Sequence, residues 1–160
     1  MVKVLAVSGN SNSGKTTLIE MMVEELRRRG LRVLTVKHGR HFDFGSLDLE
    51  TSEGIKIGEK HKKDTERLWN VGADVAFLSE NFTFLALRRE LSIEELCSVS
   101  KVDIVLVEGF RNENVRKVVI LDETSKVEDF KGEILAVLRK EDVLSRKVDV
   151  KKLVEDVLRG

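Results

Sequence analysis

Apolar and polar residues along the chain follow two alternating patterns, one typical of strands and one typical of helices. Short runs that are almost continuously apolar predict strands buried on both faces of a sheet. Amphipathic stretches between them predict helices, as in residues 16–29, where Leu18, Met22 and Leu26 recur every four positions. The predicted strands are residues 3–8, 31–37, 102–110, 117–122 and 133–139, and the further predicted helices are residues 63–72, 92–100 and those from 149 onward.

The middle of the chain departs from this alternation. Residues 38–63 are polar and contain four glycines, and a segment of this length in a compact domain usually carries a function. Residues 74–88 predict two strands joined by a tight turn at residues 79–81. The second of these strands is apolar on both faces, which is consistent with a central place in the sheet or with packing across a dimer.

The alternation of strands and helices predicts an α/β fold with a mostly parallel sheet flanked by helices on both faces. The length of 160 residues favours a single domain that spans residues 1–160. In such sheets, ligands bind at the carboxyl ends of the strands. The residues directly after each predicted strand are therefore the first candidates for a site.

The first strand ends in a phosphate-binding motif. The run Gly9-Asn10-Ser11-Asn12-Ser13-Gly14-Lys15-Thr16 matches G-x-x-x-x-G-K-[ST] and lies between a buried strand and an amphipathic helix. Small residues let backbone N–H groups wrap a di- or triphosphate, and the helix N-terminus adds a favourable dipole. Lys15 supplies a charge for the β- and γ-phosphates, Thr16 a hydroxyl for Mg²⁺ and Thr17 a contact to the α-phosphate. The motif predicts a three-layer P-loop NTPase fold that binds a nucleotide.

A nucleotide site of this kind also needs an acidic residue near the metal ion. Residues 104–107 are apolar and are followed by Glu108 and Gly109 at the end of a predicted strand. Glu108 is therefore a candidate catalytic residue on the metal or water side and, together with Thr16, a candidate metal ligand. Asp103, at the start of the same strand, is expected to point away from the site and to be structural.

Composition narrows the range of partners. Lys plus Arg and Asp plus Glu are both 28, so no net basic charge attracts nucleic acid or an anionic membrane. The apolar runs are too short to span a bilayer, and the N-terminus lacks a secretory signal pattern, so a cytoplasmic protein is expected. Cys97 is the only cysteine, which excludes an intrachain disulfide. Its place on the apolar stripe of residues 92–100 predicts a buried thiol.

Three motifs read together resemble those of the molybdopterin-guanine dinucleotide biosynthesis protein B (MobB) family. They are GNSNSGKTT from residue 9, TVKHGRHFDF from residue 35 and DIVLVEGFRNENVRKVVI from residue 103, and the likeness runs from Val2 to about Leu121. The resemblance implies a homodimeric, GTP-binding P-loop protein in molybdenum cofactor biosynthesis. It implies that the chain assists a MobA-type nucleotidyltransferase in the guanylation of molybdopterin, and that its own GTP hydrolysis is weak.

The resemblance also assigns roles by position in the segment after the second strand. The family's KH pair falls on Lys37 and His38, and its acidic positions fall on Asp43 and Asp64. Both acids are candidate catalytic residues that order Mg²⁺ or a water, provided that the second strand is a neighbour of the first. The segment between the two acids is longer than usual in the family, and Lys62 replaces an expected glycine.

Guanine recognition is expected at Lys140 and Asp142. Guanine is often read by an Asn/Thr-Lys-x-Asp loop after a late strand, in which the aspartate accepts from two N–H groups of the base. Here Arg139-Lys140-Glu141-Asp142 follows a predicted strand, so the Lys-x-Asp part is present and an arginine replaces the first residue. The preference for GTP over ATP rests mainly on the family resemblance.

Two other classes of protein are alternatives. A P-loop small-molecule kinase that uses ATP would need cationic side chains over the transferred phosphoryl group, with Asp43 as the base. The candidate cations are Arg88, Arg89, Arg111 and Arg116. A metal-insertion GTPase would need a cluster of metal ligands, which scattered histidines (His38, His41 and His61) with one cysteine support poorly.

Overall fold

The structure is a computed structural model that describes residues 2–37, 59–78, 80 and 82–160. For residues 59–63 it describes the backbone, and side chains are described from residue 64 onward. His38, His41 and Asp43 lie outside the described residues, as does the side chain of His61. The chain divides into two compact units. The first contains residues 2–37 and 93–160, and the second contains the described residues between 59 and 92.

The first unit is built on a five-stranded parallel sheet with the strand order β2-β5-β1-β6-β7. This confirms the predicted α/β fold with a mostly parallel sheet. The strands are β1 Lys3–Gly9, β2 Val33–Lys37, β5 Ile104–Glu108, β6 Lys117–Leu121 and β7 Ile134–Arg139. The helices of this unit are α1 Lys15–Arg28, α3 Ile93–Ser100, α4 Lys140–Leu144 and α5 Val150–Arg159.

One face of the sheet carries the main hydrophobic core. Leu5 and Val7 of β1 are buried together with Leu18, Met22 and Leu26, the three residues that define the apolar stripe of α1. The core continues into β5, β6, α4 and α5, and α1 packs directly against α5. Burial of alternate strand residues against these helices explains why the strands are apolar and why their register is well defined.

The opposite face of β1 is covered by the connection between β5 and β6, residues 109–116, which we call the crossing segment. Because β1 lies between β5 and β6, the chain must cross β1 to pass from one to the other. Lys117 is fully buried on this face, and its Nζ donates to the carbonyl oxygens of Phe110, Arg111 and Glu113 at 2.5, 3.2 and 3.1 Å. The ammonium group thus ties the crossing segment to the sheet.

The second unit combines α2 Glu59–Asn70 with an antiparallel hairpin of β3 Val75–Leu78 and β4 Thr83–Ala86. The Arg88 guanidinium stacks on the Trp69 ring, with its carbon 4.1 Å from the ring centroid. The predicted pair of strands is confirmed, but the central place considered for the second strand is wrong. The hairpin forms its own two-stranded sheet, separate from the parallel one.

The prediction that Cys97 is buried is also wrong. Cys97 is partly exposed, and no residue of α3 is fully buried in the described part of the structure. The apolar stripe of this helix is short and half-covered, so the helix does not enter the core. None of the described helices is long and apolar enough to cross a membrane.

The buried contacts of Lys117 predict a large effect of removing its charge. We expect Lys117→Met to lower the free energy of unfolding by about 2 kcal/mol, because the side chain keeps its length but no longer donates hydrogen bonds to three carbonyl groups. Urea denaturation of the purified variant measures this loss. Lys151→Met, at an exposed position of α5, is the matched control and should change stability by less than about 0.5 kcal/mol. Equal stability of both variants would contradict an anchoring role for Lys117.

Candidate nucleotide-binding site

The loop between β1 and α1 has the backbone geometry that a phosphate-binding loop needs. Asn12 and Gly14 adopt positive φ angles of 58° and 94°. A Cβ atom on Gly14 would lie 2.9 Å from Cγ1 of Val143 in α4, and one on Gly9 would lie 2.5 Å from Oγ of Ser13. Neighbouring atoms therefore leave no room for a side chain at Gly9 or Gly14. At Gly14 the positive φ angle favours glycine as well.

Lys15 lies along this loop. Its Nζ donates to the carbonyl oxygens of Gly9 and Asn10, at 3.2 and 2.6 Å. Burial lowers the pKa of Lys15, while the nearby Glu108 carboxylate raises it. The Lys15 ammonium group, which the motif provides for phosphate, is thus held against the first two residues of the loop, directly after β1.

Thr16 and Glu108 come together beside the loop. Glu108 ends β5, which pairs with β1 so that Val7 lies opposite Glu108. The Thr16 hydroxyl donates to Oε2 of Glu108 at 2.9 Å, and Nζ of Lys37 is 3.8 Å from Oε1. A hydroxyl and a carboxylate are the hard oxygen ligands that Mg²⁺ takes, and this ion needs few of them from the protein. The two residues predicted as metal ligands therefore fit such an ion.

A second group of polar residues flanks the loop at the end of β6, and it joins the predicted Asn10 to Asp122, which was not predicted. The Nδ2 group of Asn10 donates to both carboxylate oxygens of Asp122 at 3.1 Å, and Arg111 donates to Asn10 Oδ1 at 3.0 Å. Hydrogen bonds from Thr124 hold the pKa of Asp122 well below its usual range. Asp122 follows an apolar strand just as Glu108 does, so the same sequence signal would have found it.

Lys140 and Asp142 lie at the carboxyl end of β7, as predicted, but in the first turn of α4 rather than in a loop. Val143 of the same helix is the residue that contacts Gly14. Asp142 also borders an open groove of about 390 Å³ between β7 and the start of α5, lined in part by Leu138 and Lys152. The predicted guanine-reading residues are therefore carried by a helix that packs on the phosphate loop.

Two other candidates were predicted on a condition that the order of the strands does not meet. The condition placed on Asp43 and Asp64, that β2 is a neighbour of β1, is not met, because β5 lies between them. Asp64 belongs to the second compact unit, where it is 3.9 Å from Arg67. Asp103 lies at the opposite end of β5 and pairs with Arg32, as expected for a structural residue. No cluster of three metal-ligating side chains occurs among the described residues.

Comparison with known proteins identifies the family. A family model described as molybdopterin guanine dinucleotide synthesis protein B (MobB) matches residues 4–140. The chain belongs to the MobB family. The resemblance seen in the sequence motifs is thereby confirmed.

Individual relatives in the MobB family agree with this placement. The molybdopterin-guanine dinucleotide biosynthesis adapter protein of Escherichia coli is 30% identical over 75% of this chain and 66% of its own length. A probable adapter protein of the same name from Bacillus subtilis is 34% identical over 78% of this chain and 68% of its own length. The chain thus spans about two thirds of the length of these relatives. A crystal structure of molybdopterin-guanine biosynthesis protein B is 31% identical, with a TM-score of 0.67 over 98% of this chain and 97% of that one.

The contact between the phosphate loop and α4 predicts that a methyl group added at Gly14 lowers the stability of this MobB-family chain. We expect Gly14→Ala to lower the free energy of unfolding by about 2–3 kcal/mol, because the new Cβ is strained at positive φ and clashes with Val143. Gly30→Ala is the control, since Gly30 has a φ of 79° but nothing within 4 Å of the added atom. It should cost only about 1 kcal/mol. Equal losses in urea denaturation would show that the α4 contact is unimportant.

Proposed function

We propose that this chain is a GTP-binding adapter in molybdenum cofactor biosynthesis. In this role it assists a MobA-type nucleotidyltransferase in converting molybdopterin to molybdopterin guanine dinucleotide. Family membership and the names of the relatives support the pathway, and the contact between Thr16 and Glu108 beside the loop is the observation that carries nucleotide binding. By family resemblance, we also propose that the chain works as a homodimer in the cytoplasm.

The described residues account for the proposed binding of a magnesium nucleotide. Backbone N–H groups from Asn12 into the start of α1 would donate to the phosphate oxygens, and the ammonium group of Lys15, which here donates to the Asn10 carbonyl oxygen, would supply positive charge to them. Thr16 and Glu108 would hold Mg²⁺, which when bound neutralises charge on the phosphate oxygens. Nζ of Lys37 adds a positive charge 3.8 Å from the other oxygen of the Glu108 carboxylate.

For the base, we propose that Lys140 and Asp142 contribute to the choice of guanine. Their helix, α4, is already fixed against the loop through Val143, so a base near this helix would lie at a defined distance from the phosphates. This assignment follows from their place after β7 and from the family resemblance.

The same geometry favours an adapter over the alternative of a small-molecule kinase. Of the four arginines considered as phosphoryl-transfer cations, Arg88 and Arg89 belong to the second compact unit. Arg116 precedes β6 at the opposite edge of the sheet and pairs with Glu133. Of Arg111 and Arg116, which both belong to the first unit, Arg111 is the one in contact with the loop. By family resemblance, we propose at most weak GTP hydrolysis.

Titration with non-hydrolysable GTP and ATP analogues, with and without Mg²⁺, tests this proposal. We expect Mg²⁺-dependent binding of the GTP analogue and at least about tenfold weaker binding of the ATP analogue. A preference for ATP would contradict the adapter role and favour the kinase.

Two variants locate the binding in the proposed site. Lys15→Ala should abolish triphosphate binding while leaving the thermal unfolding transition in place, because the hydrogen bonds of Lys15 described in the structure go to carbonyl groups of the loop itself. Glu108→Gln should reduce the gain in affinity on adding Mg²⁺, since the neutral amide is a poorer ligand for a hard cation. Lys151→Ala serves as the control for loss of an exposed lysine. Normal nucleotide binding by Lys15→Ala would refute the assignment of the loop.

A further inference from the structure

The crossing segment begins with a strained turn directly after Glu108. Gly109 has a φ of 115° and Phe110 a φ of 54°. A bulky residue in the left-handed region is a conformational outlier, and such strain persists only where the surroundings impose it. The turn reverses the chain so that Arg111 points back to the phosphate loop.

Fully buried groups hold this turn in place. The hydroxyl of Ser8 donates to the carbonyl of Gly109, and Gly109 N donates to Val7 O at 3.0 Å. Lys117 Nζ donates to the carbonyl oxygens of Phe110 and Arg111. Ser8 and Lys117 are both inaccessible to solvent. Two buried polar side chains, Ser8 and Lys117, therefore hold this three-residue turn in position.

The guanidinium of Arg111 is itself fixed in orientation. It lies over the Phe130 ring with 4.6 Å between its carbon and the ring centroid, and Nε donates to Asp129 O at 3.1 Å. One terminal nitrogen is 3.4 Å from an Asp129 carboxylate oxygen, and the other donates to Asn10 Oδ1. Since a carboxylate only accepts, Asp122 requires the Nδ2 group of Asn10 to face it, which leaves Oδ1 for Arg111.

Lys15 and Arg111, the two cationic residues at the loop, both donate hydrogen bonds to Asn10. Lys15 donates to the Asn10 carbonyl oxygen, while Arg111 donates to the Asn10 side chain. A guanidinium carries five N–H groups, and three of those of Arg111 have partners among the described residues. The other two remain for a ligand, and 42% of the side chain is exposed. Lys15 and Arg111 therefore lie at the same residue of the loop.

We propose that Arg111 contacts the terminal phosphate of the bound nucleotide and makes the site select triphosphates over diphosphates. The inference rests on the proposed nucleotide-binding function. In a P-loop the lysine reaches the β- and γ-phosphates, and Thr17 of α1 is the predicted contact to the α-phosphate. Arg111 approaches from the entry of the loop, on the β6 side. Its planar fork suits bidentate contact with phosphate oxygens, and its prior orientation reduces the entropy lost on binding.

The test compares a GTP analogue with GDP, both with Mg²⁺, in the full chain. We expect Arg111→Gln to weaken binding of the triphosphate analogue by about 10- to 100-fold and to change GDP binding by less than about twofold. Arg111→Lys, which keeps the charge but loses the fork, should show an intermediate loss. Arg116→Gln is the matched control, because Arg116 lies on the same crossing segment but pairs with Glu133 away from the loop. It should leave both affinities unchanged.

The outcomes separate this inference from the function on which it rests. A loss for the analogue alone supports a contact to the terminal phosphate. Equal losses for the analogue and GDP would mean that Arg111 only shapes the loop. Unchanged affinities would mean that Arg111 contacts neither ligand. Either result overturns the inference but leaves the proposed nucleotide binding intact. Failure of the unmodified chain to bind either nucleotide would overturn the proposed function itself.

Discussion

The candidate site depends on the burial of β1 between two parallel neighbours. Because β1 is apolar on both faces, it takes the centre of the sheet, and β5 and β6 end beside it at the same edge. The phosphate loop follows β1, Glu108 ends β5, and Asp122 follows β6. Three segments far apart in sequence therefore meet at one point. The order of the strands, more than any single hydrogen bond, places an acidic group on each side of the loop.

The two sides of the loop have different chemical character. On the β5 side, Glu108 and Thr16 present oxygen atoms suited to a divalent cation. On the β6 side, Asp122 is occupied by Asn10 and by the turn that contains Thr124, so the exposed group there is the Arg111 guanidinium. An anion in the loop would thus have a cation site on one side and a fixed positive charge on the other. This asymmetry suits a chain of phosphates carrying one metal ion.

The crossing segment explains why a lysine is buried in the sheet. Parallel strands are usually connected by a helix, whose backbone groups bond to one another. The connection from β5 to β6 is too short for one, so its carbonyl groups need other donors. Lys117 supplies three hydrogen bonds from a single position. Burial lowers the pKa of Lys117, which reflects the desolvation of its charge, and the three carbonyl contacts offset that cost.

The sequence by itself determined the elements and the chemistry that depend on nearby residues. The α/β order, the loop around Gly14 and the acid at Glu108 all follow from local patterns of apolar residues and from one short motif. Only the tertiary structure decided the contact of Asn10 with Arg111 and Asp122, the partial exposure of Cys97 and the separate hairpin of β3 and β4. Each of these depends on which strands are neighbours and on which faces are covered. Periodicity along one chain shows that a face is apolar, but the partner that covers the face is set by long-range packing.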